Sequence, residues 1–246
     1  MIETLALIVA GFAAGAINAV AGGGPLITLP VLIFAGLDAR IANLTSTVAL
    51  FPGQIAAAYT ARDALKPTSG ISVGAMLGIT IVGGAAGALL LLTTPSSLFA
   101  KLVPWLVLIA TTIYAWSNFG PQPPRERARL GPYGFVAAQI LASVYGGYFG
   151  GGNSFIMLAL LTLSGLAARD AGRLKNLLIA LINMAAAGVF LLSSVVAYDK
   201  AIPLGLGAIA GSMAGVSVLH RLNETILKII VVVIGGALTL WLFWSA

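Results

Sequence analysis

The chain has 246 residues, of which 59% are hydrophobic and 8% charged, and its mean hydropathy is +1.04. Soluble globular chains carry about a quarter charged residues, so this composition excludes a soluble domain and implies an integral membrane protein. The net charge of +6 does not argue for nucleic acid, because basic residues on a membrane protein mark its cytoplasmic loops. The absence of cysteine rules out disulfides and thiolate metal sites, and no strand-type alternation supports a barrel.

Taken in chain order, the apolar pattern predicts ten helical segments. The first covers 2–21. No basic residue precedes it, so it is read as a retained helix rather than a cleaved signal. It ends in Ala21-Gly22-Gly23-Gly24-Pro25. Three glycines hold a helix poorly, and Pro25 suits the first turn of a new one. The second segment, 25–35, has eleven residues, or ~17 Å, too short for a hydrocarbon core of ~30 Å. Segments 41–60, 69–92 and 98–118 follow, and then the longest polar stretch, about 119–131. Segment 133–149 ends in a second tract, Phe149-Gly150-Gly151-Gly152-Asn153-Ser154-Phe155. It is followed by the short segment 153–163 and then by 175–196, 201–219 and 225–243.

The two glycine tracts align at an offset of 128. After a one-residue insertion Ala39-Arg40-Ile41-Ala42 matches Ala168-Arg169-Asp170-Ala171, Thr47 falls on Asn176 and Gln54 on Asn183. Gly83 and Gly87 fall on Gly211 and Gly215. This pattern predicts an internal repeat. If each short segment forms a hairpin with its predecessor, Arg62, Lys66, Arg125, Arg127, Arg129, Arg169, Arg173, Lys175, Arg221 and Lys228 share one face. Arg40, Lys101 and Lys200 lie on the other, a split of ten against three. The positive-inside rule makes the first face cytoplasmic and puts both termini outside. The expected fold is an all-α integral membrane protein of two inverted-topology repeats. Each repeat is a re-entrant or broken helical hairpin plus three transmembrane helices, with residues 1–120 as first repeat, 121–131 as basic cytoplasmic linker and 132–246 as second repeat. Glycines four apart (Gly11 and Gly15, Gly74 and Gly78, Gly83 and Gly87, Gly207, Gly211 and Gly215) predict close helix contacts.

Broken helices in matching places of two halves mark the binding site of a transporter. A helix start carries unpaired N–H groups and partial positive charge. Two such starts meeting near the midplane make an anion site without a buried cation. The candidate binding residues are Gly22, Gly23, Gly24, Pro25 and Thr28 at the first break, with Asn18 before it. At the second they are Gly150, Gly151, Gly152, Asn153 and Ser154, with Tyr145 before them. Asn153 can alternatively cap the following helix. Thr47 with Gln54, and Asn176 with Asn183, lie seven apart and so on one helical face; interhelical hydrogen bonding is their plain reading and a shared pocket the functional one. Lys175 and Arg173, near the start of their segment, are expected to snorkel to the cytoplasmic interface, with attraction of an anion at the entrance as the alternative reading. The acids Glu3, Asp38, Asp63, Glu126, Asp170, Asp199 and Glu224 all fall at ends or loops, so no carboxylate proton relay is expected.

At these residues the sequence resembles the TauE/SafE family of membrane permeases. The likeness rests on Gly15-Ala16-Ile17-Asn18-Ala19-Val20-Ala21-Gly22-Gly23-Gly24-Pro25 and on Tyr145-Gly146-Gly147-Tyr148-Phe149-Gly150-Gly151-Gly152-Asn153. It implies a multi-pass permease of the bacterial inner membrane that exports sulfite, sulfoacetate or a related organosulfonate. The stretch Gly172-Arg173-Leu174-Lys175-Asn176 is more basic than the family pattern, which leaves the substrate open. The expected partners are a small anionic substrate and the lipid bilayer. Nucleic acid, metal and cofactor are not expected, and a homodimer is compatible with the chain. Rival readings are a permease for a carboxylate or an uncharged metabolite, a non-transporting scaffold, and an intramembrane hydrolase using Ser154. The last lacks an evident base.

Overall fold

A computed structural model describes residues 2–20, 23–60, 65–120, 130–218 and 224–245. Among the described residues there are ten helices and no strand, only an isolated bridge between Thr68 and Ile71. The helices are α1 (Ile2–Val20), α2 (Pro25–Phe34), α3 (Ala39–Thr60), α4 (Val73–Thr93), α5 (Ser96–Phe119), α6 (Pro132–Tyr148), α7 (Asn153–Leu163), α8 (Ala168–Leu191), α9 (Tyr198–Val218) and α10 (Glu224–Ser245). Gly22 and the linker stretch 121–129 lie outside the described residues.

Local chemistry sets most boundaries. Pro25 opens α2 at its first helical position, after Gly23 turns the chain with φ +95°. Residue 69 does not start a helix as expected. Thr68 and Ile71 exchange backbone hydrogen bonds around Ser69 (φ 49°) and Gly70 (φ 77°), and Ser72 then caps α4 by accepting from the Ala75 amide. The largest revision is α8. It begins at Ala168 rather than at 175 and ends at Leu191 rather than 196, so Lys175 lies two turns inside the helix. Asp38 plays the corresponding part before α3, accepting from the Arg40 amide at 2.9 Å.

Among the described residues, three helices have the length and apolarity to cross a bilayer: Val73–Thr93, Ser96–Phe119 and, within α8, Arg169–Leu191. Large apolar side chains cover the outside, among them Val82, Leu206, Met213, Leu240 and Trp244. In water such a surface would aggregate; in lipid it is the expected exterior.

Small residues let the helices close up. Glycines 11 and 15 of α1 lie against the Leu204 and Ala208 backbone of α9, while Gly207 and Gly211 lie against Ile8 and Phe12 of α1. Likewise Gly83 and Gly87 of α4 meet Ser143, Val144 and Tyr148 of α6, and Gly147 meets Gly84. A methyl group at any of these sites would collide with a neighbouring helix. Gly74 and Gly78 do not follow the pattern. Both are exposed and face open space, on the side of α4 away from the buried Met76 and Thr80 that meet Gln139 of α6.

The packing pairs off across the chain. Helix α1 packs on α9 as α6 packs on α4, and α2 rests on α3 as α7 rests on α8. The pairs α3 with α8 and α5 with α10 close the assembly. Polar contacts tie particular helix ends together. Lys200 at the start of α9 pairs with Glu3 at the start of α1. Arg40 at the start of α3 donates to the Leu92 and Thr94 carbonyls at the end of α4, both at 3.0 Å. The Ala197 amide donates to Thr45 of α3. Elsewhere, Leu130 just before α6 donates its amide to the Leu163 carbonyl at the end of α7, so the two arms of that hairpin begin and end side by side.

Candidate functional site

Polar side chains converge where α1, α3, α7, α8 and α9 meet. There a small cavity of about 30 Å³ is lined by Asn18, Gly53, Gln54 and Ser154, and by Asn176, Ile179 and Ser212. Room for a water needs roughly 10–15 Å³ by the same measure, so the space suits a compact ion or a few waters. A larger cavity of about 500 Å³, between α5, α6 and α7, is lined mainly by apolar groups such as Ile113, Trp116, Phe155 and Leu160 and gathers little polar chemistry.

Each lining residue arrives by a traceable route. Asn18 closes the last turn of α1, and its Oδ1 accepts from the Gly24 amide at 3.4 Å. It thus satisfies a donor that the start of α2 leaves free. Gln54 and Asn183 meet directly, the Asn183 amide donating to Gln54 Oε1 at 2.7 Å. Ser154 stands in the first turn of α7. The amides of Gly151, Gly152 and Ser154 have no hydrogen-bond partner among the described residues, so this helix start keeps open donors beside the cavity. Ser212 donates to the Gly15 carbonyl at 3.3 Å and lies where a Cβ on Gly53 would sit.

Both glycine tracts touch α5. Gly23 lies against the Tyr114 ring and Gly152 against Ala110, one turn apart on that helix. Gly152 has φ +71°, a conformation that costs a residue with a Cβ about 1–2 kcal/mol, and Ala110 leaves no room for one. Gly150 turns with φ +78°, and Gly151 offers its carbonyl to the Tyr145 hydroxyl at 2.7 Å.

Of the sequence candidates, Asn18, Gln54, Ser154 and Asn176 share the cavity, with Gly24 and Asn183 one hydrogen bond behind it. Others stand apart. Thr28 is fully buried and pairs with Ser46 at 2.6 Å. Thr47 bonds back to the Asn43 carbonyl of its own helix, the usual fate of a mid-helix threonine. Tyr145 holds the second break from within its own hairpin. Pro25 starts α2 without lining the cavity.

Asn153 does not cap α7. The cap position is Gly152 and no side chain bonds there. Asn153 is instead 2% exposed, with its amide nitrogen against Gly146 and its Oδ1 unpartnered. Gly146 is the residue that aligns with Asn18, and Asn153 aligns with Pro25. Each hairpin therefore brings one asparagine to its break, from the first arm in one case and from the second arm in the other. Gly53, Ile179 and Ser212 were not singled out from the sequence. Ser212 had a signal, since it is the hydroxyl residue inside the glycine ladder 207–211–215.

A helical assembly of the described residues with an apolar exterior and a polar interior cavity defines a multi-pass membrane protein. Residues 7–242 match the family described as Sulfite exporter TauE/SafE, and the chain belongs to that family. It is 30% identical over 242 residues to a probable membrane transporter protein, ORF9, of Sinorhizobium, covering 95% of this chain and 90% of that one. A probable membrane transporter protein of Haemophilus influenzae is 27% identical over 93% of this chain and 90% of its own length. For YfcA of Escherichia coli, also a probable membrane transporter protein, the values are 26%, 95% and 87%. No solved structure matches the chain.

Proposed function

We propose that the protein carries a small sulfur oxyanion or organosulfonate, such as sulfite or sulfoacetate, out of the bacterial cell across the inner membrane by alternating access. The observation that carries this reading is the cavity where Asn18, Gln54, Ser154, Asn176 and Ser212 converge beside the open amides of α7. A sulfite or sulfonate presents three acceptor oxygens, which suit amide and hydroxyl donors together with a helix start. The site offers an anion partial positive charge without a carboxylate to repel it. The sulfur chemistry comes from the family description. Export needs no coupling ion, since an inside-negative potential favours anion exit by about 2.3 kcal/mol per charge per 100 mV.

The organisation proposed is two inverted repeats, 1–120 and 132–246, with both termini periplasmic and the basic linker 121–131 in the cytoplasm. Supporting it, the starts of α1, α3 and α9 and the end of α4 are held together at one end by Glu3, Arg40, Thr45 and Lys200. The hairpin α6–α7 closes on itself through Leu130 and Leu163. The matched packing of α1 on α9 and α6 on α4 is what a two-fold repeat requires. Alternating access then amounts to one hairpin-bearing half rocking against the other around the cavity.

Counterflow in proteoliposomes with sulfite, sulfoacetate, acetate and a neutral solute tests the substrate class. Exchange of sulfite and inhibition by sulfoacetate, with acetate inert, is the expected result. Because the lining residues are uncharged, a neutral or carboxylate solute is the second reading, and preferential exchange of one of those would favour it. A strict requirement for a pH gradient at fixed voltage would overturn the uncoupled mechanism. A hydrolase centred on Ser154 finds no carboxylate, imidazole or amine among the residues lining the cavity.

A further inference from the structure

We propose that Lys175 is the cation that draws the anion into the cavity from the side of the membrane where α8 begins, and that the opposite approach has no counterpart. The inference rests on the transport reading above. Helix α8 starts at Ala168, so Lys175 lies seven residues in, about 10 Å along the axis. It adjoins Asn176 and stands one helical turn before Ile179, and both of those line the cavity. Lys175 therefore shares the stripe of α8 that leads to the site.

Its charge is not committed elsewhere. Lys175 is half-buried, and no hydrogen bond or ion pair holds its ammonium among the described residues. Two other cations, Lys200 and Arg40, are engaged. Lys200 pairs with Glu3 and Asp199, and Arg40 is bound to the carbonyls ending α4. An ionisable residue inside a membrane span is costly and ordinarily paired or facing water, so an unpaired lysine beside a polar cavity has the character of a ligand-facing group. In the repeat alignment Lys175 corresponds to Ser46. Ser46 is 1% exposed and its hydroxyl is spent on Thr28 at 2.6 Å. One approach thus carries an uncommitted positive charge and the matching approach a closed hydroxyl pair. The consequence is a carrier with higher anion affinity on the α8-start side, which the charge distribution of the chain makes the cytoplasmic side.

The test measures half-saturation for radiolabelled sulfite in right-side-out and inverted membrane vesicles. Lys175→Gln is expected to raise it roughly tenfold on the α8-start side and little on the other, with Lys175→Arg restoring it and Lys101→Gln, exposed at the opposite end, unchanged. An unchanged value in Lys175→Gln, or an equal loss on both sides, overturns the inference while leaving sulfite transport by the wild type intact. A wild type that carries no sulfur anion overturns the transport reading and this inference with it. Should Lys175→Gln fail to elute as a folded species, amine labelling of the wild type decides. Methanesulfonate should protect Lys175 from an amine-reactive ester but not Lys101, and an unlabelled or unprotected Lys175 counts against the proposal.

Discussion

Asn183 of α8 donates its amide to Gln54 of α3 at 2.7 Å, and these are the two residues that align with each other when the halves of the sequence are superposed. Contact between aligned residues is what the proposed two-fold repeat expects near its axis, and Gln54 of this pair lines the cavity. Replacing one amide removes this hydrogen bond between the two helices. Gln54→Leu and Asn183→Leu should each lower the thermal stability of the detergent-solubilised protein by about 1 kcal/mol and reduce sulfite flux. The double variant should cost less than the sum of the two. Strict additivity would show that the bond contributes nothing.

A second prediction concerns Gly53. Its missing Cβ leaves the space that Ser212 Oγ fills, so these two residues share one side of the cavity. Gly53→Ala should overpack the α3–α9 contact by about 1–3 kcal/mol and suppress flux. Combining it with Ser212→Gly should restore folding, because the hydroxymethyl group that collides is gone. Failure of the second change to rescue the first would place the strain somewhere other than this pair.

How far the sequence could have led is clear at these same residues. The breaks were legible because Gly and Pro act locally; α7 runs over Asn153–Leu163 as the tract and the apolar run after it predict. Asn18 and Ser154 were legible because they flank the glycine breaks, and Gln54 and Asn176 because the alignment of the two halves pairs each with a polar residue, Asn183 and Thr47. Ser212 and Gly53 were not, because their aligned partners, Gly84 and Ile182, reverse which helix carries the glycine. Gly84 approaches Ile182 just as Gly53 approaches Ser212, so the packing is kept while the hydroxyl appears once. The alternative reading of Asn153 as an N-cap fails for a related reason. Its N-cap propensity is a local rule, but its burial against Gly146 is decided by a residue on the other arm. The start of α8 was placed at Lys175 rather than Ala168 because the polar stretch from Ala168 to Lys175 reads as loop in the sequence.

Gly152 separates the structural from the functional demand at the second break. It has φ +71° and stands against the α5 backbone at Ala110. Gly152→Ala should destabilise the protein by about 1–2 kcal/mol from the backbone conformation alone, and it should abolish exchange by pushing the start of α7 away from the cavity. Gly36 has φ +86° but nothing near its missing Cβ, so Gly36→Ala should show a similar loss of stability with exchange retained. Equal transport in the two variants would remove the second break from the site. On the same logic Gly23→Leu, against Tyr114 and Val231, and Gly151→Leu, against the Phe149 ring, should both lose flux.

The glycine ladders offer the sharpest contrast, because four-residue spacing alone cannot tell a packed ladder from an open one. Gly11 and Gly207 sit in the α1–α9 contact, where each lies on the backbone of the facing helix, whereas Gly74 and Gly78 have the same spacing and face open space. In a bilayer no hydrophobic force drives two helices together, so the closeness that glycine permits is what holds α1 to α9. Gly11→Leu and Gly207→Leu should each prevent recovery of monodisperse protein from membranes. Gly74→Leu and Gly78→Leu should express and exchange sulfite as the wild type does, with a slight gain in helix stability from removing a flexible residue. Tolerance at Gly11 together with collapse at Gly78 would mean that α4, not α1, carries the critical contact, and would reverse the assignment of α1–α9 as the seam on which the cavity wall is built.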